Sequence, residues 1–399
     1  MKVLMINVCC GMGSTGRICT DIAELLIERG HECKIAYGRD DVPEKYRNIA
    51  VKIGSDLGVY RNALKSRLFD NEGFNAKCAT ERFLKWVKEY DPDVIHLHNL
   101  HGYYLNVEIL FGYLKTCNKK IVWTLHDCWS FTGHCSYFDY PHCDKWKMGC
   151  GGCIRLHDYP KSVTDHSKRN YKKKKELFTG IPNLTIVTPS QWLADLVRQS
   201  TLKEYPVEVI NNGIDHSVFK PTPSNFREKN GLKEKKILLG IASVWDKRKG
   251  FDDFLKLSGL IDDDYRIVMV GVNQKQKKRL PNNIIGIERT NNTMELAEIY
   301  TAADLFVNPT REEVLGMVNI EANACGTPVI TYKTGGSPEC INIKSGRVVE
   351  RDDINALLNG IEEICKNNLF TNDACVEQAM LFDKNKRFQE YIDLYETLS

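Results

Sequence analysis

The chain has 399 residues, of which 42% are hydrophobic and 27% charged, and its formal net charge is +3 at pH 7. This length predicts two domains, and the mild charge argues against nucleic-acid binding. No apolar run is long enough for a membrane span, and Met1–Asn7 is too short for a signal peptide, so we expect a cytoplasmic protein whose 15 cysteines are mainly reduced.

Short apolar runs alternate with amphipathic segments along the whole chain. Continuous apolar strands that alternate with helices are typical of parallel sheets covered on both faces. The predicted strands are Val3–Val8, Cys33–Tyr37, Val94–His98, Ile121–Leu125, Leu184–Pro189, Val207–Ile210, Ile237–Ala242, Arg266–Val270, Ile284–Ile287, Leu305–Asn308 and Val329–Tyr332. The pattern predicts an α/β protein with two doubly wound, Rossmann-like parallel sheets in domains 1–203 and 204–381, followed by a helical tail over 382–399.

A glycine-rich turn follows the first predicted strand. Gly11, Gly13 and Gly16 match Gly-x-Gly-x-x-Gly between a strand and a helix, where backbone N–H groups can approach a phosphate. A dinucleotide-dependent dehydrogenase would carry an acidic residue at the end of the second strand. That strand ends near Arg39, which would suit a 2′-phosphate instead. The turn is therefore a candidate phosphate site, with a tight turn that binds nothing as the alternative.

Two neighbouring strands of this half end in histidine. His98 is followed by Asn99 at the end of one strand, and His126 ends the next. Ligands of open α/β sheets bind outside the carboxyl ends of the strands, which makes these side chains candidates for a site. The alternative is that both histidines are ordinary residues at the edge of the core.

A cysteine cluster follows His126. Cys150 and Cys153 have the Cys-x-x-Cys spacing of a metal chelate, and Cys135 and Cys143 supply a second pair with a longer loop. Four thiolates hold Zn²⁺ tetrahedrally. The spacing predicts one structural zinc ion, with scattered buried thiols as the alternative.

The chain has one dense basic run, which includes Lys172–Lys175. Such a run is usually a solvated helix face, but basic surface also attracts anionic lipid headgroups. We therefore keep peripheral association with an anionic membrane surface as an expectation beside the solvated face.

Two turns in the second half have the residues of a phosphate site. Lys247–Lys249 is a basic turn after a buried strand, and Gly335 and Gly336 follow another strand, where their amides would face a phosphate. Solvated charge is the alternative for the basic turn.

Two glutamates, Glu313 and Glu321, lie eight residues apart between two apolar strands. Glu313 belongs to a predicted loop, and Glu321 lies one or two turns inside a short helix that Gly326 and Pro328 end. Carboxylates on a loop and a helix at one sheet edge can accept hydrogen bonds from one sugar. Surface charge without a ligand is the alternative.

The segment Glu313–Val329 resembles the signature of the family 4 retaining glycosyltransferases, with two glutamates followed by a Cys-Gly-Thr-Pro-Val run. The segments 188–193 and 211–219 also match segments of that family. The cysteine-rich loop resembles the branch that makes colanic acid and other capsular or extracellular polysaccharides. The resemblance implies a GT-B fold, in which two domains face each other across a cleft and the last helix crosses back to the first domain.

The resemblance also implies roles for single residues. Glu313 would contact the donor sugar and Glu321 the nucleotide ribose, while Lys249 would grip the diphosphate. The implied catalytic residues are Glu313, His126 and Lys249, the donor-binding residues are Glu321, Gly13, Arg248, Val314, Leu315, Gly316, Gly335 and Gly336, and the acceptor-binding residues are Ser14, Thr15, His98 and Asn99. Ser243 stands where the family carries an arginine, and Lys247 and Arg248 are the candidates to replace it.

The activity that the resemblance implies is transfer of a hexose from a nucleoside diphosphate sugar to a glycan, with retention and without a catalytic metal. The acceptor would be carried on a polyprenyl diphosphate lipid at the inner face of the plasma membrane. A nucleotide-sugar epimerase of the same architecture is one alternative, and it would act on the donor alone. A non-catalytic nucleotide-sugar-binding protein is another, motivated by Ser243.

Overall fold

The structure is a computed structural model, and it describes residues 1–398. The strands are β1 Lys2–Asn7, β2 Glu32–Tyr37, β3 Ala50–Lys52, β4 Val94–Leu97, β5 Lys120–Thr124, β6 Leu184–Thr188, β7 Val207–Val209, β8 Lys236–Ile241, β9 Tyr265–Val270, β10 Ile284–Ile287, β11 Leu305–Asn308, β12 Val329–Tyr332 and β13 Gly346–Val349. The helices are α1 Gly13–Glu28, α2 Asp56–Phe69, α3 Lys77–Tyr90, α4 Val107–Leu114, α5 Lys145–Met148, α6 Ser167–Phe178, α7 Gln191–Gln199, α8 Phe226–Lys229, α9 Phe251–Ser258, α10 Gln274–Lys277, α11 Thr293–Ala302, α12 Met317–Ala324, α13 Ile354–Asn367, α14 Asn372–Ala379 and α15 Lys384–Thr397.

The chain divides into two compact units. The first contains Met1–Asn211 and the residues from Arg387 onward, and the second is Asn212–Lys386. The first holds a sheet in the order β3-β2-β1-β4-β5-β6-β7, and the second a sheet in the order β10-β9-β8-β11-β12-β13. Every strand pair is parallel. The predicted pair of doubly wound parallel sheets is therefore confirmed.

All eleven predicted strands appear within a residue or two of their predicted bounds, but two edge strands were missed. β3 is only three residues long, and β13 has four residues, of which only Gly346 is fully buried. Short edge strands lack the continuous apolar run that identifies a strand buried on both faces.

The prediction that Val207–Ile210 opens the second domain was wrong. β7 pairs with β6, so it is the last strand of the first sheet. The division between the units therefore falls after Asn211 rather than after residue 203. An apolar strand does not reveal from its sequence which of two neighbouring sheets it joins.

The predicted helical tail forms α15. Its aromatic residues Phe388, Tyr391 and Tyr395 are buried in the core of the first unit, which also contains Val3 and Ile35. These aromatics explain why the last residues group with the first unit, since large rings bury much apolar surface.

Among residues 1–398, no helix is both long enough and apolar enough to cross a bilayer.

Candidate active site

The second unit places Lys249 and Glu313 in direct contact beyond the carboxyl ends of its strands. Lys249 Nζ donates to Glu313 Oε2 at 2.5 Å. The two side chains are only 20% and 17% exposed, so their charges are partly shielded from water. Lys249 belongs to the turn between β8 and α9, and Glu313 to the loop between β11 and α12. The fold therefore joins two residues that lie far apart in the sequence.

The glycine-rich turn after β12 packs directly against the Glu313 backbone. Gly336 N–H donates to the Glu313 carbonyl at 3.2 Å. Gly335 has φ +54°, and a Cβ there would lie 1.7 Å from the same carbonyl oxygen, so only glycine fits. This turn consequently fixes the loop that carries Glu313.

The amino terminus of α12 begins in the same loop. Gly316 precedes the helix, and no side chain caps its first N–H groups. The Met317 and Asn319 N–H groups donate to the Leu315 and Gly316 carbonyls at 2.8 Å, so the positive end of the helix dipole is the feature of this terminus that favours an anion. The partly exposed Met317 and Val318 open this helix, so the terminus is accessible to a phosphate.

Arg311 joins the turn with Lys247 and Arg248 to the loop with Glu313, a role that was not predicted from the sequence. Its guanidinium donates to both carboxylate oxygens of Asp253 at 2.5 and 3.0 Å and to Asp352 at 2.6 Å. It also donates to the Lys247 carbonyl at 2.9 Å, while its backbone N–H donates to the Arg248 carbonyl at 2.7 Å. Burial opposes the charge, but the hydrogen bonds to the two aspartates hold the pKa of Arg311 above its usual value.

Glu321 lies in the second turn of α12, as predicted. Its Oε2 accepts a hydrogen bond from the buried hydroxyl of Tyr300 at 2.9 Å. A buried amide network fixes the same helix: Asn308 donates to Asn319 at 2.8 Å, and Asn319 donates to Ser337 at 2.8 Å. The network joins the ends of β11 and β12 to α12, so it sets the position of Glu321 relative to both strands.

The remaining predicted donor-binding residues of this unit differ in accessibility. Val314 and Leu315 are 5% and 4% exposed, so their side chains are part of the core and only their backbone could serve a ligand. Arg248 is 29% exposed and lies 3.8 Å from Asp246. Ser243, which stands where an arginine was expected, is exposed.

The glycine-rich turn of the first unit opens α1 as predicted. Gly11 and Gly13 have φ +72° and +66°, and Gly11 N–H donates to the Gly16 carbonyl at 3.0 Å. No side chain caps α1, and its first turn has no acidic residue. Ser14 is exposed on this turn. The geometry is therefore open to an anion.

The buried side chain of Asn7 connects this turn to the end of β4. Its amide donates to the Cys9 carbonyl at 2.8 Å and to Thr15 Oγ1 at 3.3 Å, and its carbonyl accepts from the Asn99 backbone N–H at 3.3 Å. The predicted acceptor-side residues Thr15 and Asn99 are thus fixed by one common partner.

His98 and His126 are hydrogen-bonded to each other, with His98 Nδ1 and His126 Nε2 3.0 Å apart. Burial lowers the pKa of His126 to about 4 and that of His98 well below its usual value. Both imidazoles are therefore neutral near pH 7. His96, which contacts Thr124 at 2.8 Å and Tyr395 at 2.6 Å, has its pKa lowered by burial as well. A neutral His126 can bind a hydroxyl group but is not a strong acid.

These histidines predict that the first unit loses stability in acid. Their folded pKa values lie below the ordinary value of about 6.5, so the unfolded chain takes up protons first as the pH falls. The contribution of these histidines to the free energy of unfolding should be constant above about pH 6.5 and fall by about 1.4 kcal/mol per pH unit for each histidine toward pH 4. Urea unfolding at pH 7 and pH 5 measures this. The loss of unfolding free energy between pH 7 and pH 5 should be smaller in His96→Gln than in the wild type. In the exposed control His157→Gln it should equal that of the wild type. The same loss in both variants would contradict the prediction.

The four predicted zinc ligands, Cys135, Cys143, Cys150 and Cys153, all lie between β5 and α6. Among the described residues, no group of three or more His, Cys, Asp or Glu side chains is placed to hold a metal ion. Instead, Cys150 Sγ accepts a hydrogen bond from Gly133 N–H at 3.2 Å. A hydrogen bond between Cys135 and Cys153 lowers the pKa of Cys153 to about 7. Cys143 is partly exposed. Zinc binding stays a prediction for elemental analysis of the purified protein.

The basic run on α6 is not a uniformly solvated face. Lys174 is buried and donates to the carbonyls of Trp129 and Thr132 at 2.8 and 3.2 Å. Burial lowers its pKa to about 7. Lys173 pairs with Glu108 at 2.8 Å. One of the four lysines thus has a structural role in the core.

Two family descriptions match consecutive parts of the chain. The description "Glycosyltransferase Family 4" matches residues 15–218, and "Glycosyl transferases group 1" matches residues 223–387. WcaC from Escherichia coli K12, named as a colanic acid biosynthesis glycosyl transferase, is 24% identical over the full length of both chains. An uncharacterized 41.2 kDa protein in the cps region of Klebsiella pneumoniae is 24% identical over 83% of this chain and 87% of its own.

The fold is also that of solved glycosyltransferase structures. HepE from Anabaena, solved with UDP, superimposes with a TM-score of 0.68 at 16% identity, and the match covers 100% of both chains. The two parallel-sheet units are therefore the two Rossmann-like domains of the GT-B fold. The match over residues 223–387 spans the loops and helices that carry Lys249, Glu313 and Glu321 as well as the turn with Gly335 and Gly336. The chain belongs to glycosyltransferase family 4 and is a glycosyltransferase.

Proposed function

We propose that the protein transfers a hexose, with retention, from a nucleoside diphosphate sugar to a glycan acceptor carried on a polyprenyl diphosphate. The step belongs to the synthesis of an extracellular or capsular polysaccharide. The likeness to WcaC, named for colanic acid biosynthesis, and to a protein of a cps region supports this pathway class.

The contact between Lys249 and Glu313 carries the proposal. An ammonium beside an uncapped helix terminus and a glycine turn is suited to a diphosphate, because all three present positive charge or N–H donors. In the donor complex the diphosphate takes over the Lys249 ammonium. The Glu313 carboxylate is then free to accept hydrogen bonds from the sugar hydroxyls.

Catalysis rests on stabilising the leaving group. Lys249 and the positive end of the α12 dipole neutralise charge that develops on the diphosphate as the glycosidic bond breaks. The acceptor hydroxyl attacks the donor sugar from the same face of the ring as the one from which the diphosphate departs. A β-phosphate oxygen accepts the proton of that hydroxyl. Neutral His126 binds a sugar hydroxyl, in agreement with its lowered pKa.

The acceptor is assigned to the first unit, at the turn that carries Ser14 and Thr15 and at the strand ends with His98 and Asn99. The hydrogen bonds of Asn7 to Thr15 and Asn99 support this assignment, since they hold the turn and the strand end in one place.

Binding and transfer experiments test the proposal. Calorimetry with UDP, GDP, ADP and TDP should identify one nucleotide that binds the wild-type chain and binds more weakly to Lys249→Met. Transfer from the matching sugar nucleotide to a polyprenyl-diphosphate-linked glycan should give a product with the anomeric configuration of the donor, which NMR reads directly. Failure of all four nucleotides to bind, an inverted product, or conversion of the donor sugar without any acceptor would each contradict the proposal.

Glu321→Ala should weaken binding of that nucleotide by about 1.5–3 kcal/mol, because the ribose loses a charged hydrogen-bond acceptor. Calorimetry with the nucleoside diphosphate, which lacks the sugar, isolates this contact from that of Glu313. Glu377→Ala, an exposed glutamate of α14 in the same unit, is the matched control. Equal affinity in the Glu321 variant and the wild type would remove Glu321 from the donor site.

A further inference from the structure

A cavity opens beside the glycine-rich turn of the first unit. Its volume is about 530 Å³, within the range of about 300–1,000 Å³ that is typical of small-molecule sites. Its walls come from that turn, the segments after β2 and β4, and helix α2, and they include Met12, Arg39, Asp40, Asp41, Tyr60 and Tyr103. The proposed acceptor site begins at the same turn, so the cavity lies next to it.

Helix α2, which forms one wall of the cavity, has its polar and apolar faces reversed. Its buried residues are Asn62 and Ser66, which donate to the Tyr103 carbonyl at 2.9 Å and to Glu72 at 3.1 Å. A surface helix of a globular protein normally buries its apolar face. The inward polar face of α2 therefore serves to hold these two partners in place.

Glu72 is a buried carboxylate that fixes the backbone of Tyr103. Its Oε1 accepts hydrogen bonds from the N–H groups of Gly102 and Tyr103 at 2.6 and 3.0 Å. Among residues 1–398, no Lys, Arg or His side chain forms an ion pair with it. Tyr103 has φ +71°, which a bulky residue rarely adopts. A buried charge and a strained backbone both lower stability, and they are retained where function needs a residue in one fixed position.

The polar side chains of the cavity are not paired with other parts of the protein. Within residues 1–398, the Arg39 guanidinium and the Asp40 and Asp41 carboxylates form no hydrogen bond or ion pair. Asp56 also lines the cavity, but Lys52 binds it at 2.7 Å. The cavity therefore offers a ligand one guanidinium, which only donates hydrogen bonds, and carboxylates, which only accept them.

This combination of groups suits a neutral sugar. Adjacent sugar hydroxyls both donate and accept, so they can satisfy a guanidinium and carboxylates together. The apolar C–H face of a sugar ring can cover an aromatic ring, and the cavity has those of Tyr103 and of Tyr60, which is 74% exposed. A diphosphate would instead bring its negative charge beside Asp40 and Asp41, which opposes its binding.

We propose that this cavity binds a neutral sugar residue of the acceptor glycan, with Tyr60 and Tyr103 against the ring and with Arg39, Asp40 and Asp41 bonded to its hydroxyls. The assignment of that sugar to the acceptor rests on the proposed function, whereas the binding of a sugar in the cavity does not. The cavity extends the acceptor site from the glycine-rich turn toward α2, and it makes the choice of acceptor depend on the sugar held there.

Saturation-transfer NMR of the full chain with the methyl glycosides of glucose, galactose, mannose and fucose tests the binding. At least one of these neutral sugars should bind the wild type. Asp40→Asn/Asp41→Asn should raise its dissociation constant by about tenfold or more, because hydrogen bonds to charged groups are stronger than those to neutral ones. Tyr103→Asn should also raise the dissociation constant, because the sugar ring loses the aromatic surface that it covers.

Matched variants exclude indirect effects. Glu81→Gln/Glu89→Gln removes two exposed acids of α3 in the same unit and should bind the glycoside as the wild type does. Glu313→Gln alters the proposed donor site and should bind it equally well. The thermal midpoints of the two cavity variants should stay close to that of the wild type, since Asp40 and Tyr103 have φ +64° and +71° and asparagine tolerates this left-handed backbone.

The outcomes separate the sugar site from other ligands and from the proposed function. Failure of all four glycosides to bind, or equal affinity in the wild type and both cavity variants, overturns the proposal. So does displacement of the glycoside by inorganic pyrophosphate that Arg39→Gln abolishes, because the cavity would then hold a diphosphate. Loss of glycoside binding in Glu313→Gln would place the sugar in the donor site and overturn it as well.

Nucleotide binding is the independent measurement. Calorimetry with UDP, GDP, ADP and TDP should give the same affinities for the wild type and for Asp40→Asn/Asp41→Asn. Absence of nucleotide binding from the wild type would contradict the proposed function and leave the glycoside result standing.

Discussion

Lys249→Met should lower kcat/KM for sugar transfer by about 10²–10³-fold. The ammonium is the one charged donor that contacts Glu313 at 2.5 Å, and removal of a single charge-stabilising donor from an active site costs about this much. The loss should be mainly in kcat, because charge on the diphosphate develops in the transition state. Steady-state kinetics with the donor identified by calorimetry measures both constants.

Glu313→Gln tests the other partner of the contact. It keeps the size of the side chain but removes the charge, and it should abolish measurable transfer while the thermal midpoint stays close to that of the wild type. Lys256→Met is a suitable control, since it removes an exposed lysine from α9 in the same unit. Transfer at the wild-type rate by Lys249→Met or Glu313→Gln would show that the contact is only structural.

Arg311→Met should lower the free energy of unfolding of the second unit by about 3–5 kcal/mol. The substitution leaves Asp253, which is 4% exposed, as a buried carboxylate without its cation, and breaking a buried pair on one side costs this much. The turn with Lys247 and Arg248 also loses its connection to the loop with Glu313. Denaturation followed by fluorotryptophan NMR suits this unit, since Trp245 is the only tryptophan within residues 212–386.

Two further variants make the stability prediction specific. Arg311→Met/Asp253→Leu should recover much of the loss, because a buried pair replaced by apolar residues is often neutral. Arg347→Met breaks a bidentate pair with Glu363, in which the two side chains are 31% and 52% exposed, and should cost far less than Arg311→Met because exposed pairs contribute little. Equal free energies of unfolding for Arg311→Met and Arg347→Met would show that the buried pair of Arg311 and Asp253 does not hold the loops together.

Most of the sheet architecture could be predicted from the sequence. An apolar run such as Ile237–Ala242 forms a central strand, because a strand buried on both faces is rich in apolar residues. The edge strands β3 and β13 do not need such a run, so they were missed. β7 was assigned to the wrong sheet for a related reason. Its pairing with β6 depends on how the whole sheet assembles, and the sequence of the strand does not specify its neighbour.

The sequence alone determined the fold class, the family resemblance, the glycine-rich turns and the position of Glu321 in its helix. Each of these rests on local spacing, in which strand and helix periods, glycines and stop signals act over a few residues. Only the tertiary structure decided that Lys249 contacts Glu313, that Arg311 joins two loops through a buried pair with Asp253, and that Lys174 of the basic run is buried. It also revealed the reversed faces of α2, where Asn62 and Ser66 point inward. Such contacts depend on which residues the folded chain brings together from distant segments, and no local pattern contains that information.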